Sequence, residues 1–268
     1  LTMSSPMLNT AMKAARAACT ILNRAVDNLS TIEVHKKGHS DYVSEVDVAC
    51  ERTVVEILRE AYPTHQILGE ENGLTGPEKS EFQWIIDPLD GTTNFLHGFP
   101  QYAVSIALKR ENEIIEAVIA DPVKNEIFTA TRGVGAFLNG RRIRVSKRTS
   151  MGESLIGAGF PFRKSDDVEA YMRVFSQLAK NTSGVRRAGA ASLDLAYVAA
   201  GRLDAFWEPN LKAWDIAAGS LLVLEAGGLV TDFKGESDYL TTGQIIAGTP
   251  KVFGQLLAVV NKNYGDIR

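Results

Sequence analysis

The sequence predicts a mixed fold of helices and strands, with an α+β first half over residues 1–150 and an α/β second half over residues 151–268. In the middle of the chain, short apolar runs follow one another between turn residues, which is typical of neighbouring strands. After residue 150, such runs alternate with segments of helical periodicity. No linker rich in Pro, Gly or Ser separates the halves, so we expect them to pack tightly as one functional unit.

Two helices are predicted at the start of the chain. Ser44 precedes the second helix as its N-cap, and Pro63 stops that helix near Tyr62 because proline cannot continue a helix. The stretch between the helices, HKKGHSDYVSEVD, is polar. The first helix is indicated by apolar residues that recur every three or four positions, namely Met7, Ala11, Ala14, Ala15, Ala18, Ile21 and Leu22.

A series of strands follows the second helix. QILG is predicted to be a short strand that ends in the turn EENG, and FQWIID has the composition of a buried strand. YAVSIALKR, EIIEAVIAD and NEIFTAT are further predicted strands, separated by turn residues at 111–112 and 122–125. GAFLNGRRIRVS is typical of a hairpin whose turn is Asn139-Gly140.

In the second half, predicted strands alternate with predicted helices. The strands are SLIGAGF, RLDAFWE, LVTDF and QIIAG. Gly227-Gly228 closes the helix that begins at Asp215. The helices cover residues 168–178, 192–200, 215–226 and 251–260.

The composition is that of an ordinary globular protein and excludes several classes. With 268 residues, a formal net charge of −3 and a pI of about 5.9, neither nucleic acid nor an anionic membrane is the default partner. No apolar run approaches the ~20 residues that span a bilayer, and Lys13 and Arg16 interrupt any signal-peptide core. Cys19 and Cys50 do not make a disulfide framework. We expect a cytoplasmic protein without a membrane partner.

The stretch WIIDPLDGTTNF holds two acids at the end of a buried run. Asp87 and Asp90 repel one another when both are charged, so they lie in solvent, cap a helix or share a cation. Pro88 stiffens the turn and can aim both side chains at one point. Gly91 and the threonines after it can begin a helix whose N–H groups receive an anion. Two carboxylates beside such a cradle indicate magnesium shared with a substrate phosphate.

Other acids lie where they could join this pair. Glu70 and Glu71 end another apolar strand, and strands of one sheet can bring Glu70 beside Asp87. Asp215 and Asp47 both lie at predicted helix starts. A simpler interpretation exists for each: a solvated acidic turn for the glutamates and a helix N-cap for the two aspartates.

No other set of residues in the sequence indicates a competing catalytic centre. The D-x-x-D spacing disfavours a phosphatase with an aspartate nucleophile, which uses D-x-D, and no G-x-S-x-G elbow supports serine catalysis. All-oxygen ligands favour magnesium over zinc. The histidines are scattered in polar stretches and are expected to face solvent, namely His35, His39, His65 and His97.

Several motifs resemble those of the inositol monophosphatase family. WIIDPLDGTTNFLH and WDIAAGSLLVLEAGG fit its signatures, and GEENG, KKGHSDYVSEVD and GAFLNGRRIRVS resemble it as well, so the resemblance runs over most of the chain. It implies a layered α-β-α-β-α sandwich of the sugar-phosphatase type. It also implies a magnesium-dependent phosphomonoesterase that hydrolyses myo-inositol 1-phosphate and related polyol phosphates, is inhibited by lithium and forms a homodimer.

The resemblance implies two to three magnesium ions per site and the residues that hold them. Glu70, Asp87 and the Leu89 carbonyl would hold the first ion. Asp87, Asp90 and Asp215 would hold the second. Glu70 would also help to hold a third, weaker ion through water.

The same resemblance implies the remaining catalytic and substrate contacts. Glu70 and Thr92 would orient the attacking water, with Asp87 as the third catalytic residue, and the amides of Gly91 and Thr92 would receive the phosphate. Asp47 would lie near the third ion. The other expected positions are Lys36, on a mobile loop that closes over the metals, and the substrate-binding residues Asp90, Arg186, Gly189, Ala190, Ala191 and Glu208.

The chain departs from the family at two places, and alternatives stay open. Animal members commonly carry a serine after the GEE pair, where this chain has Asn72-Gly73, and often a threonine where Ala190 stands. These departures bear on hydroxyl recognition and leave the metal ligands untouched. The DPxDGT core also fits fructose 1,6-bisphosphatases and adenosine 3′,5′-bisphosphatases.

A regulatory role is a further alternative. Bacterial members of the family include proteins with a second role in ribosomal RNA transcription, through contacts with the antitermination machinery. This chain could be such a regulator with a secondary phosphatase activity. The basic segment at 141–148, RRIRVSKR, could bind nucleic acid, but we expect it to form an edge hairpin whose charges face solvent.

Overall fold

The computed structural model describes residues 5–38, 41–160 and 167–264. Its α-helices are α1 (Pro6–Ala25), α2 (Glu45–Ala61), α3 (Thr92–Leu96), α4 (Val168–Asn181), α5 (Ala191–Ala199), α6 (Ala213–Glu225), α7 (Tyr239–Thr242) and α8 (Pro250–Tyr264). Its strands are β1 (Val34–Gly38), β2 (Asp41–Ser44), β3 (Gln66–Gly69), β4 (Gly73–Thr75), β5 (Phe82–Asp90), β6 (Ala103–Arg110), β7 (Glu113–Asp121), β8 (Glu126–Thr131), β9 (Gly135–Leu138), β10 (Arg141–Arg142), β11 (Leu155–Ala158), β12 (Gly184–Arg186), β13 (Ala205–Glu208), β14 (Leu229–Thr231) and β15 (Ile245–Gly248).

The strands form two large sheets and a separate hairpin of β1 and β2. The larger sheet has the order β10-β9-β8-β7-β6-β5-β3-β4. Its neighbouring strands are antiparallel except β3 and β5, which run parallel and therefore end at the same edge. The smaller sheet has the order β12-β11-β13-β15-β14, with β11 parallel to both of its neighbours.

Strand β5 packs against helices on both faces. Trp84 and Ile86 belong to the core formed with α1 and α2, whereas Ile85 belongs to the core formed with α5 and α6. Successive side chains of a strand point to opposite faces, so a strand covered on both faces is apolar throughout. This explains the continuous apolar run that precedes the two aspartates.

Helices α5 and α6 form a middle layer between the two sheets. Their core includes Ile85 and Phe128 from the larger sheet and Phe206 and Ala247 from the smaller one. Both helices are buried on nearly every side, as expected for a middle layer. Helices α4 and α8 cover the other face of the smaller sheet, around Trp207. The order of layers confirms the α-β-α-β-α sandwich. The division into halves at residue 150 stays a prediction.

Local signals in the sequence identify most of these elements. Ser44 is the N-cap of α2 and forms a capping box with Asp47. Asn139 and Gly140 have φ angles of 48° and 77°, as a tight hairpin turn requires. The structure adds the β1–β2 hairpin in the polar connection and β12 at a sheet edge. Neither has the apolar run that indicates a strand.

The basic segment lies at the edge of the larger sheet, and its arginine and lysine side chains are exposed. The guanidinium of Arg142 lies 5.0 Å from the centre of an aromatic ring of β9. Arg144 donates a hydrogen bond to the carbonyl of the last residue of α6. Arg148 lies 3.4 Å from the carboxylate of Asp204. The expectation of an edge hairpin whose charges face solvent is confirmed, and three of its arginines also contact neighbouring groups.

The fold bears on two predictions from the sequence, that no segment spans a membrane and that the two cysteines form no disulfide framework. Within the described ranges, no helix is both long and apolar enough to cross a membrane. Cys19 and Cys50 are free thiols. Burial raises the pKa of both, that of Cys19 to about 12. Neither thiol is therefore activated as a nucleophile.

Candidate active site

An irregularity in strand pairing places Asp87 and Asp90 on one face of β5. Asp87 pairs with Ser105 and Asp90 with Ala103, so β5 has one residue more than β6 across this interval. Residues three apart on a regular strand point to opposite faces, and the extra residue of a bulge corrects this. Pro88 lies within the bulge, which suits a residue that has no N–H to donate.

A third carboxylate reaches this pair from the second half of the chain. Asp215 lies in the first turn of α6, where its Oδ2 accepts a hydrogen bond of 2.7 Å from the Lys212 N–H. One carboxylate oxygen from each of Asp87, Asp90 and Asp215 lies within 4.8 Å of the other two. Asp215 is therefore the third residue of its helix and not the N-cap, and it accepts from the N-cap residue while belonging to an acidic cluster.

Glu70 joins the cluster from the neighbouring parallel strand. It follows β3 directly, and its N–H donates a hydrogen bond of 3.1 Å to the Ile86 carbonyl. Its carboxyl group lies close enough to Asp87 to raise the pKa of that aspartate. The parallel pairing of β3 and β5 thus brings together two acids that lie 17 positions apart, as the sequence led us to expect.

Burial and neighbouring carboxylates disfavour the charge of the aspartates in this cluster. Burial raises the pKa of Asp87 well above its usual value, and the charges of Glu70, Asp90 and Asp215 raise it further. Burial also raises the pKa of Asp90, to about 6, although hydrogen bonds from the start of α5 lower it. Negative charge is therefore costly in this cluster unless a cation lies among the carboxylates.

Helix α3 begins directly after the acid pair. Gly91 precedes it with a φ of 94°, and a Cβ there would lie 2.9 Å from a backbone carbonyl oxygen, so only glycine fits. Thr92 Oγ1 lies 2.9 Å from Asp47 Oδ1 and 3.1 Å from the Leu89 carbonyl oxygen. Burial raises the pKa of Asp47, while hydrogen bonds from Ser44 and Thr92 lower it. Asp47 thus lies behind Thr92 and outside the carboxylate trio.

The second half supplies the other wall of the site through the start of α5. The backbone N–H and the hydroxyl of Ser192 donate to Asp90 Oδ2 at 2.7 and 2.5 Å. Asn94 donates a 2.9 Å hydrogen bond to the Ala188 carbonyl and so holds the loop before α5. No local pattern in the sequence marks Ser192 or Asn94. This loop and helix start carry three of the expected substrate-binding residues, Gly189, Ala190 and Ala191.

Glu208 ends β13 and faces the same region. A Cβ on Gly159 would overlap its carboxylate, so this glycine leaves the space that Glu208 occupies. Burial raises the pKa of Glu208 well above its usual value, and Asp194 adds to this effect, whereas Arg187 opposes it. Arg186, the expected pocket residue, is exposed and donates to a neighbouring backbone carbonyl. The arginine whose charge lowers the pKa of Glu208 is instead Arg187, which the family motif did not indicate.

The arrangement of acids agrees with a match to a family of known proteins. The model of the inositol monophosphatase family matches residues 3–264. This chain belongs to the inositol monophosphatase family.

Members of the family in bacteria are similar to this chain over nearly its whole length. The Pseudomonas aeruginosa protein named Nus factor SuhB is 55% identical over 259 residues, which cover 95% of this chain and 96% of the relative. The crystal structure of the extragenic suppressor protein suhB from Bartonella henselae has a TM-score of 0.93 at 43% identity and covers 96% of this chain and 99% of that one. The inositol monophosphatase from Anabaena (Nostoc) sp. PCC 7120 has a TM-score of 0.82 at 36% identity, with 95% of each chain covered.

The acidic cluster of this family member suits magnesium. Asp87, Asp90, Asp215 and Glu70 offer carboxylate oxygens, the hard ligands that magnesium prefers. A divalent cation among them would offset the repulsion that raises the pKa of Asp87. Among the residues that the structure describes, the acids, cysteines or histidines that lie close enough together to bind a metal are Asp87, Asp90 and Asp215. This trio contains neither histidine nor cysteine, which favours magnesium over zinc.

The remaining expected residues lie outside the cluster or outside the described side chains. The backbone of Lys36 lies in β1, in a strand rather than a loop, and its side chain is outside the described part. His35 and His97 are exposed as expected, and His39 is outside the described residues. The expectation that His65 faces solvent is wrong, because its ring is buried between two aromatic rings.

Proposed function

We propose that this protein hydrolyses a phosphate monoester of a polyol, of the myo-inositol 1-phosphate class, with magnesium as its cofactor. The observation that carries this proposal is the meeting of Asp87, Asp90 and Asp215 within 4.8 Å, beside Glu70 and the start of α3. Carboxylates next to backbone N–H groups suit two to three magnesium ions that share a phosphate with the protein. Membership of the family supports phosphatase activity.

Glu70, Asp87, Asp90, Asp215 and the Leu89 carbonyl would hold the magnesium ions. Bound magnesium stabilises charge on phosphoryl oxygens and lowers the pKa of water, so that water is a nucleophile near neutral pH. Leu89 suits its role because its N–H donates to Asp87 Oδ1 at 3.0 Å, which fixes the carbonyl relative to that carboxylate.

Thr92 and Glu70 would orient the attacking water. When the Thr92 hydroxyl donates to Asp47 Oδ1, its oxygen can still accept a hydrogen bond from water. Asp47 is fully buried and fixed by the N-cap of α2, so it holds this hydroxyl in one orientation. The N–H groups of Gly91 and Thr92 would meet the phosphate oxygens at the start of α3.

The acids around the phosphate position favour a neutral polyol over a second phosphate. Glu208 and Asp90 offer carboxylate oxygens that accept hydrogen bonds from hydroxyl groups, and Ala191 begins the helix beside Asp90. A second phosphate would bring further negative charge beside Asp194 and Glu208, where burial and neighbouring acids already disfavour negative charge and Arg187 is the opposing cation. We therefore rank inositol 1-phosphate above fructose 1,6-bisphosphate and adenosine 3′,5′-bisphosphate.

A phosphate-release assay on these three substrates tests the proposal, with magnesium titrated against excess chelator. Inositol 1-phosphate should be preferred by at least ~10-fold in kcat/KM, and activity should vanish with chelator and return with magnesium. Preference for a bisphosphate would overturn the substrate class, and full turnover after complete chelation would overturn the metal role. Lithium, which would occupy a magnesium site near Asp90, should inhibit, and undiminished turnover in lithium would contradict that assignment.

A second function is favoured by the name of the Pseudomonas aeruginosa relative, Nus factor SuhB. We propose that this protein also takes part in transcription antitermination. The test places Asp87→Asn in cells that lack the wild-type chain and measures ribosomal RNA transcription. Retained antitermination with no phosphatase activity would show that the regulatory role is independent of catalysis. Normal antitermination in cells without any copy of the protein would exclude the role.

A homodimer is the oligomeric state that we propose. Phe160, Val168 and Met172 are each about half exposed, and the Phe160 ring contacts Tyr171 of α4, the helix that carries the other two residues. We propose that these side chains form one apolar patch, the kind of surface through which subunits associate. Light scattering should give a dimer for the wild type and a monomer for Met172→Glu. A wild-type monomer would contradict the assignment.

A further inference from the structure

A buried glutamate on α2 lies beneath the turn that carries Glu70. Glu51 has no exposed surface, and it follows Asp47 by one helical turn. Its Oε2 accepts a hydrogen bond of 2.8 Å from the Glu71 N–H. Its Oε1 accepts hydrogen bonds from the N–H and the side-chain amide of Asn72, at 2.9 and 2.7 Å. All three donors belong to the two residues that directly follow Glu70.

The turn leaves a space for this carboxylate at Gly69. A Cβ on Gly69 would lie 2.5 Å from Glu51 Oε1 and 2.7 Å from Oε2, closer than real Cβ contacts allow. Because three hydrogen bonds hold the carboxylate, it cannot move aside without losing them. Glu70 therefore follows a glycine that admits Glu51 and precedes two residues that Glu51 binds.

We propose that Glu51 is a positioning residue of the active site, which fixes the turn so that Glu70 meets Asp87. This inference rests on the proposed function, since it takes Glu70 as a magnesium ligand. Helix α2 then sets two parts of the site at once, because Asp47 holds Thr92 and Glu51 holds Glu70. The inference also gives Asn72 a role, since its amide supplies the third hydrogen bond at a position where animal family members carry a serine.

The substitution Glu51→Gln keeps the volume of the side chain and removes an acceptor. A glutamine amide has one acceptor oxygen, so its NH₂ group would face one of the backbone N–H groups of the turn. Hydrogen-bond partners of metal ligands typically change metal affinity by roughly 10–100-fold when they are removed. We expect magnesium affinity, measured by calorimetry on the free protein, to fall by about 10-fold or more, with kcat at saturating magnesium changed less than the magnesium requirement.

Glu116→Gln is the matched control. Glu116 is also a buried glutamate, on β7, and it accepts hydrogen bonds from the hydroxyls of Ser5 and Thr131, which can rotate to suit an amide. This variant should keep wild-type magnesium affinity. Gly69→Ala approaches the same contact from the opposite side and should weaken magnesium binding as Glu51→Gln does.

The outcomes separate the inference from the proposed function. Wild-type magnesium affinity in folded Glu51→Gln and Gly69→Ala proteins would overturn the positioning role. If the wild-type protein neither binds magnesium nor releases phosphate, the proposed function itself fails. If Glu51→Gln does not fold, Asn72→Ala removes one of the three hydrogen bonds and should still weaken magnesium binding. Unchanged affinity in that variant would then count against the role.

Discussion

Two buried aspartates, Asp204 and Asp87, are accommodated inside this protein in opposite ways. Asp204 accepts hydrogen bonds from the Leu155 N–H at 2.8 Å and from the Ser146 hydroxyl at 2.5 Å, and an arginine lies nearby. Asp87 accepts one from the Leu89 N–H at 3.0 Å and otherwise faces carboxylates. The fold supplies the partners of Asp204, whereas the fold surrounds Asp87 with like charge. A buried carboxylate that is surrounded by like charge, as Asp87 is, stays charged only with a cation from outside the chain.

Asp87→Asn should produce the largest effects and should change stability and activity in opposite directions. Turnover should fall on the order of 1,000-fold, because a shared magnesium ligand is lost. The metal-free protein should become more stable, because the substitution removes a charge that burial and neighbouring acids disfavour. Phosphate release and urea unfolding with chelator measure the two effects. A metal-free variant less stable than the wild type would contradict the comparison.

Stability without magnesium should depend on pH in the direction that the acidic cluster sets. Burial raises the pKa of Asp90 from 3.8 to about 6, so the folded state binds this proton more tightly than the unfolded state does. The metal-free protein should therefore lose stability as pH rises from about 4 to about 6, on the order of 3 kcal/mol for this group.

Magnesium should remove this dependence, because a cation favours the charged carboxylates. Melting temperatures across this pH range, with magnesium and with chelator, test the effect. Parallel curves under the two conditions would mean that the cluster does not bind the ion.

The sequence alone identifies the parts of the site that are local in the chain. The run before Asp87, the turn residues around Asp90 and the capping position of Asp47 all leave short patterns, and the structure brings Glu70 to the expected place. The bulge that turns both aspartates to one face is not local, because it depends on pairing with β6. Magnesium ligands could therefore be proposed before their geometry was known.

Residues that support the site were not predictable for a related reason. Ser192 donates to Asp90 across 102 positions, and Glu51 binds the turn that follows Glu70 across 20 and 21. Serine and glutamate are common at helix surfaces, so nothing in the neighbouring sequence separates these two from solvated residues. The mixed helix and strand content, in contrast, follows from apolar runs and helical periodicity, and the order of layers was implied by the resemblance to the family.

Asp204→Ala should have a moderate effect and should leave the site intact. The substitution leaves the Leu155 N–H without its acceptor and removes the partner of Arg148, which should destabilise the protein by about 1–3 kcal/mol. Magnesium affinity should not change. Urea unfolding and calorimetry test both parts, and a loss of magnesium binding would show that the two aspartates are coupled.

His65 provides the smallest effect and the opposite dependence on pH. Its ring stacks on those of Tyr62 and Phe82 at 4.8 and 4.7 Å, and its Nδ1 is buried without a hydrogen-bond partner in the described structure. Burial lowers its pKa, although Glu81 opposes this. The unfolded state then binds the proton more tightly, so stability should be lost as pH falls below about 6.5.

His65→Phe should keep the aromatic stack and remove this acid sensitivity. In excess magnesium, which holds the carboxylate cluster charged, the wild type should melt a few degrees lower on acidification, whereas the variant should change less. His97→Phe replaces an exposed histidine and should behave as the wild type does. Equal acid sensitivity in wild type and His65→Phe would mean that the ring gains access to water before the protein unfolds. The contrast between buried groups that the fold supplies with partners and those that it leaves without them would then rest on Asp204 and Asp87 alone.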